Sequence, residues 1–449
     1  MGRLFGTDGI RGVVGSELTT ELARLVGRAL VGVLPKGDDG RSFILVGMDT
    51  RISSGMLADS LIEGICEAGG DAVNIEVCST PAVAYLVRKH RFDAGVMISA
   101  SHNPWEYNGI KIFGADGFKL NDLLEERIEE LILDGKDEFI PAEIPGSLKY
   151  IDSAIEEYTE YLIGCGVSLK GLRIGIDCAN GSAASTAERV FSGLGAECCM
   201  LADQPNGTNI NKGCGSTHLE GIKALVKENG LDVGIAFDGD ADRCLAIDET
   251  GREIDGDFIL AILASKLKDE GCLSGNTLVG TVMSNLGLVK FCERNGIDFL
   301  ATRVGDRYVL EALNERGLSL GGEQSGHIIL RELSTTGDGQ LTAVYLLSHI
   351  KESGKSLSTL ATIMKKYPQY MINLHADADG KSALKTDEVI KEIISESEKE
   401  MGEHGRILIR PSGTEPLIRV MTEGDDPEIA ERICKDLSQR IKKRLKELK

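Results

Sequence analysis

The chain has 449 residues, 42% hydrophobic and 27% charged, enough apolar material for several cores. At about 100–200 residues per domain it divides into three or four. Lys and Arg total 50 against 70 Asp and Glu, a net charge of −20, and so acidic a surface repels a phosphate backbone and argues against a nucleic-acid partner. No stretch approaches the roughly 18 apolar residues of a membrane span. Eleven cysteines without CxxC spacing or a secretory leader read as reduced thiols of a cytoplasmic protein, not as a zinc site or disulfide framework.

Strand and helix patterns alternate along the chain. Phe43–Gly47 is a short apolar run of the buried-strand type. Met56–Ala68 follows with helical spacing, Ala72–Val77 as a strand and Pro81–Arg91 as a helix. Ala94–Ile98 is a strand that runs into Ser99–Pro104. This rhythm predicts a mostly parallel sheet covered on both faces. It restarts with a helix over Ile151–Ile163 and a strand over Leu172–Asp177, and Val233–Phe237 is a strand running into Asp238–Arg243. A third unit opens with a helix over Phe258–Lys268 and a strand over Thr277–Val282. Tyr367–Leu374 reads as a linker into a different final domain, with strands at Gly405–Arg410 and Ile418–Glu423 and a closing helix over Pro427–Leu448. The predicted domains are 1–150, 151–254, 255–366 and 367–449.

Four segments carry the chemistry. Ser99-Ala100-Ser101-His102-Asn103-Pro104 sits at the C-terminal end of a strand, the edge where open α/β sheets collect ligands. A serine there needs a base or a reactive partner to act as a nucleophile, and His102 and Lys111 are at hand. Asp238, Asp240 and Asp242 alternate, so on an extended chain they point to one side. Such carboxylates repel one another unless a cation lies among them, and hard oxygen ligands select magnesium or calcium. An EF-hand, with Glu249 at loop position twelve, fails because Arg243 stands where that loop needs Gly and a strand precedes it. In Gly321–His327, glycines admit a close ligand, and Glu323, Gln324, Ser325 and His327 suit sugar hydroxyls and amines. In Arg410-Pro411-Ser412-Gly413-Thr414-Glu415-Pro416, with Arg419 beyond, an arginine, hydroxyls and turn amides suit a phosphate monoester. Each segment alone also reads as an ordinary turn; together they supply nucleophile, metal site, sugar reader and phosphate clamp.

In this order and spacing the four segments, with Phe5–Gly12 (FGTDGIRG), resemble the signature loops of the α-D-phosphohexomutase superfamily over the whole chain. The resemblance implies an α/β, four-domain phosphohexomutase architecture: three similar α/β domains with mixed sheets plus a C-terminal α+β domain. It implies an isomerase in which Ser101 rests as phosphoserine and a 1,6-bisphosphate forms in passing. Mg²⁺ is then held by Ser101, Asp238, Asp240 and Asp242. Arg243 contacts the serine-bound phosphate, and Arg11, His102 and Lys111 line the pocket. Lys111 is the candidate for proton transfer, with Arg303 the second. Glu323, Gln324, Ser325 and His327 read the sugar; Arg410, Ser412, Gly413, Thr414 and Arg419 bind phosphate. Within the superfamily, Cys214–His218, Thr336–Gly339 and Gln324, where the phosphomannomutase/phosphoglucomutase branch tends to carry Met, are similar to the phosphoglucosamine mutase branch. That branch interconverts glucosamine 6-phosphate and glucosamine 1-phosphate for UDP-N-acetylglucosamine synthesis; the alternatives are the other branch, with the same mechanism, and a non-catalytic sugar-phosphate sensor. A hexosamine phosphate is the expected partner, and a homodimer is allowed. Trp105 and Tyr107 depart from the family's usual Tyr and Asp.

Overall fold

The structure, a computed structural model, describes residues 2–6, 8–35, 40–134, 142–411 and 416–448. The chain forms two compact units, Met1–Met283 with Gly296–Ile363, and Ser284–Asn295 with Met364–Lys449.

The larger unit contains three mixed sheets. The six-stranded sheet runs Ile10–Val13, Tyr107–Gly114, Ala94–Ile98, Phe43–Met48, Asp71–Val77, Leu148–Tyr150. Ala94–Ile98 is parallel to Phe43–Met48 on one side and antiparallel to Tyr107–Gly114 on the other. Helices Thr20–Val33 and Ser54–Glu67 pack together unusually closely: a Cβ on Gly27 would lie 2.2 Å from the Leu61 carbonyl oxygen, and one on Gly64 2.0 Å from that of Arg24. Only glycine allows such an approach. The Thr19 hydroxyl caps the first of these helices by accepting from Leu22 N at 3.1 Å.

The five-stranded sheet repeats the scheme. Val233–Phe237 is parallel to Arg173–Asp177 and antiparallel to Cys244–Asp248. In the four-stranded sheet Leu320–Gly322 is parallel to Thr277–Thr281 and antiparallel to Ile328–Leu330. Each sheet therefore has a point where a parallel strand turns back into an antiparallel neighbour. The connections at these points are 99–106, 238–243 and 323–327, which hold two of the four sequence segments whole and Glu323–His327 of a third.

The smaller unit is a three-stranded antiparallel sheet in the order Gln369–His375, Leu417–Gly424, Gly405–Pro411. Helices Glu388–Met401 and Pro427–Glu447 bury Ile390, Leu437 and Ile441 with Leu374 and Val420. Here the structure corrects the sequence reading: Tyr367–Leu374 is largely an edge strand, not a linker. Its burial is slight except at Leu374, and Gln369, Asn373 and His375 blur the apolar pattern. Ser412, Gly413 and Thr414 lie outside the described residues.

Among the described residues no helix is long and apolar enough to cross a membrane. All eleven cysteines are free thiols.

Candidate active site

Strand Ala94–Ile98 is buried at every position and delivers the chain to Ser101, which is 1% exposed with φ +52°. Ser101 N donates to Ser99 Oγ at 2.9 Å. Its own hydroxyl donates to Asp238 Oδ2 at 2.6 Å and lies 3.4 Å from His102 Nδ1. Burial, with Arg243 and Arg11 nearby, pushes the His102 imidazole down to about 4, so near neutrality the ring is uncharged.

Strand Val233–Phe237, also wholly buried, delivers Asp238. The aspartates do not share one face of an extended strand. The strand stops at Phe237, and Ala241 takes φ +57°, so the three converge through a turn. One carboxylate oxygen from each lies within 4.8 Å of the others, and all three residues are buried. Asp240 Oδ2 accepts from Thr80 Oγ1 at 2.5 Å and from Lys111 Nζ at 2.7 Å; Asp242 Oδ2 accepts from Lys111 at 3.1 Å. Asp240 Oδ1 and Asp242 Oδ1 are buried with no hydrogen-bond partner. Burial, then repulsion by Asp242 and Asp240, raises Asp238 well above the usual carboxylate range. Burial would raise Asp240 too, but Lys111 and Thr80 bring it below. Two orphaned anionic oxygens and a third carboxyl driven toward protonation fit a divalent cation with oxygen ligands.

Lys111 is 2% exposed. Burial disfavours its charge, yet Asp240, Asp242 and Asp8 hold it as an ammonium, well above its ordinary pKa. Asp8 lies 3.2 Å from Lys111 Nζ and also pairs with Arg11 and Lys119, which in turn pairs with Asp306. His327 Nε2 lies 3.6 Å from Asp306. A run of alternating charges thus leads from the aspartate loop through Lys111, Asp8 and Lys119 to Asp306, which lies beside His327 of the 323–327 loop. Asp8, Lys119 and Asp306 were not singled out from sequence, though Asp8 stands inside the FGTDGIRG motif.

Arg243 Nε lies 3.9 Å from Asp238 Oδ2 and 3.8 Å from Asp242 Oδ1, buried without a hydrogen bond. Arg243 also bridges His327 through the backbone, and Cys244 N donates to Gly326 O at 3.0 Å. Glu323 Oε1 accepts from Gly305 N at 3.1 Å, and Gln324 Nε2 donates to Asp255 Oδ2 at 3.2 Å. Ser325 Oγ and both ring nitrogens of His327 are buried without hydrogen-bond partners. Arg303 takes no part in this network. It is exposed, stacks 4.0 Å over Tyr308, and lines a cavity of about 320 Å³ with Phe5, Glu125 and Glu311.

In the smaller unit Arg410 and Arg419 face each other across adjacent antiparallel strands. Arg410 Nε is buried without a partner, and burial and the Arg419 guanidinium both lower the Arg410 pKa. Like charges directly opposite are unfavourable, and the orphaned Arg410 Nε can take an anionic oxygen.

Four family models, described as phosphoglucomutase/phosphomannomutase domains I, II, III and the C-terminal domain, match residues 2–138, 150–251, 255–367 and 371–440. The chain is 51% identical over 448 residues to a phosphoglucosamine mutase of Acetivibrio thermocellus, covering 99% of this chain and 100% of that one. In fold it is similar to a phosphoglucomutase/phosphomannomutase family protein of Burkholderia thailandensis, with TM-score 0.83, 24% identity, and coverage of 99% of this chain and 97% of the other. It also resembles an Aspergillus fumigatus N-acetylphosphoglucosamine mutase solved with GlcNAc-6P and magnesium, at TM-score 0.62, 16% identity, and coverage of 98% and 95%. The chain belongs to the phosphoglucomutase/phosphomannomutase family of isomerases, with that family's four α/β-based domains, and curated relatives about 50% identical to it over its full length are phosphoglucosamine mutases.

Proposed function

We propose that the chain interconverts glucosamine 6-phosphate and glucosamine 1-phosphate through a phosphorylated Ser101 and a glucosamine 1,6-bisphosphate intermediate. The observation that carries this reading is the Ser101 hydroxyl, buried and 2.6 Å from Asp238 within the aspartate cluster. Identity of 51% to a phosphoglucosamine mutase over the full chain supports the sugar.

In the first half-reaction the bond from phosphorus to Ser101 Oγ breaks and one to a sugar hydroxyl oxygen forms. The hydroxyl's proton leaves and the serine oxygen takes one up. The return transfer uses the other phosphate of the bisphosphate and regenerates phosphoserine. Asp238, Asp240 and Asp242, with the oxygen on Ser101, would hold Mg²⁺, which when bound supplies positive charge against the phosphoryl oxygens. Arg243 and Arg11 offer guanidiniums to the same phosphoryl group. Lys111, paired with Asp240, Asp242 and Asp8, is the candidate for proton transfer beside the aspartate cluster. Neutral His102, 3.4 Å from Ser101 Oγ, is the better-placed acceptor. Arg303, outside the charge network, is assigned no step. Glu323, Gln324, Ser325 and His327 read the sugar, and Arg410 and Arg419, with Ser412, Gly413 and Thr414, bind phosphate. We place the enzyme in the cytoplasm on its free thiols; a homodimer is compatible with the reading, and light scattering decides it.

The test is a panel of glucosamine, glucose and mannose phosphates assayed with Mg²⁺ and a trace of bisphosphate, with intact-mass analysis beside it. Glucosamine phosphate is the best substrate, and one phosphate maps to Ser101. Wild-type activity in Ser101→Ala overturns the mechanism. Equal kcat/KM for glucosamine and mannose phosphates overturns the sugar.

A further inference from the structure

We infer that Arg51 and Asn211 are positioning residues for phosphoryl transfer, jointly holding the Ser101 loop so that the hydroxyl faces Asp238. The inference rests on the reading of Ser101 as the nucleophile.

Ser101 adopts φ +52°, a left-handed conformation that a residue with a side chain holds only when its surroundings over-determine it. The determinants are two donors from separate parts of the chain, each engaging the same two carbonyls. Arg51 Nη2 donates to Ser101 O at 3.1 Å and to Asn103 O at 2.7 Å. Asn211 Nδ2 donates to Ser101 O at 2.9 Å and to Asn103 O at 3.0 Å. Both ends of the turn are thereby tied from the six-stranded sheet and from the five-stranded one.

The donors are themselves fixed. The Arg51 side chain is fully buried and paired with the equally buried Asp49. Asp49 Oδ1 also accepts from Arg51 N at 3.0 Å and from Ser54 Oγ at 2.8 Å. Asn211 is 7% exposed, with its backbone N donating to Ala179 O at 2.8 Å. The aspartate loop presses on the same point. A Cβ on Gly239, between Asp238 and Asp240, would lie 2.5 Å from Ser101 O and 2.9 Å from Asn211 Nδ2. One clamp therefore sets the nucleophile's backbone and its distance from the carboxylates. Neither Arg51 nor Asn211 contacts Ser101 Oγ, so both act through the loop. Displacement of a reacting atom by about 1 Å can cost on the order of 100-fold in rate.

The experiment compares Arg51→Lys, Arg51→Ala and Asn211→Ala with wild type. It measures kcat and KM on glucosamine 6-phosphate per folded molecule, and the rate at which glucose 1,6-bisphosphate phosphorylates Ser101 by intact mass. The expected result is a fall of roughly 10–100-fold in both kcat and labelling rate, with KM within about two-fold. Lysine cannot fork between Asp49 and two carbonyls, so Arg51→Lys fails with the others. Added guanidinium ion partly restores Arg51→Ala. A merely structural role would lower the folded fraction and leave kcat per folded molecule unchanged; that outcome, or folded variants labelled as fast as wild type, overturns the clamp alone. A wild type labelled at Ser101 but inactive on glucosamine phosphates overturns the sugar assignment and leaves the clamp to be judged from labelling. A wild type never labelled at Ser101 overturns both.

Discussion

The two units carry opposite electrostatic problems. In the larger one, three buried aspartates crowd together, and Lys111 leaves two of their oxygens without hydrogen bonds. In the smaller one, two half-buried arginines face each other across adjacent strands, and the Arg410 pKa falls as a result. Neither arrangement helps the ligand-free fold, because like charges at close range disfavour one another. The contrast teaches that the two units suit ligands of opposite sign: the aspartate cluster a cation, the orphaned Arg410 Nε an anionic oxygen.

The largest effect tests the cation side. Asp240→Ala should lower turnover on the order of 10²–10³-fold, since a bound metal stabilises developing charge by several kcal/mol. Mg²⁺ should raise the Tm of wild type, because a ligand bound only by the folded state stabilises it, and should not raise that of Asp240→Ala. EDTA should silence wild type. Activity that survives both treatments would make the aspartate cluster an unassisted structural feature and break the comparison.

The anion side predicts a different signature. Arg410→Gln should raise KM for every sugar phosphate alike by roughly 10–150-fold, the equivalent of one charge-assisted hydrogen bond of about 1.5–3 kcal/mol. The ligand-free variant should be no less stable than wild type, and by relief of repulsion more stable by a few tenths of a kcal/mol. A destabilised variant with unchanged KM would show that the arginines serve the fold.

Sugar choice separates from both charges. The Gln324 amide donates its NH₂ to Asp255 at 3.2 Å, which leaves its carbonyl oxygen as the acceptor on offer to a protonated 2-amino group. Gln324→Met should narrow the preference for glucosamine over mannose phosphate by about 10-fold, the lower end of one charge-assisted bond, mainly by weakening the amino sugar. Equal loss on all sugars would transfer Gln324 from recognition to structure.

Much of this was legible in the sequence, and the reason is local. Ala94–Ile98 and Val233–Phe237 match the sequence reading end to end, because every position is buried and a chemistry-bearing segment bounds each run. Ser101, Lys111 and the aspartates declared themselves by residue type and neighbours. Asp8, Lys119 and Asp306 did not. Lys119 pairs with residues 111 and 187 positions away, and a single charge in a polar stretch looks like a solvated face until the fold closes around it. Arg51 and Asp49 were within reach, since they follow strand Phe43–Met48 at the edge where such sheets bind ligands. Gln369–His375 was missed because a shallow edge strand lacks a clean apolar alternation.

The smallest effect lies inside the larger unit, where cations and carboxylates meet at one imidazole. His102 is pushed down to about 4, first by burial and then by Arg243 and Arg11, against the opposing pull of Asp242 and Asp240. A histidine whose folded pKa lies below its unfolded value of 6.5 contributes stability that is fully present above pH 6.5. That contribution is lost as pH falls from 6.5 toward 4, because the unfolded chain takes up the proton first. NMR titration of the ring in metal-free Ser101→Ala protein should therefore find it uncharged down to about pH 5. Phosphorylating Ser101 in wild type adds up to two negative charges beside the ring and should raise its pKa. Mg²⁺ restores positive charge and should lower it again. An imidazole that titrates near 6.5 in all three states would mean that the arginines do not govern the field at the nucleophile, and would leave His102 charged at the lower end of the working range, unable to accept a proton there.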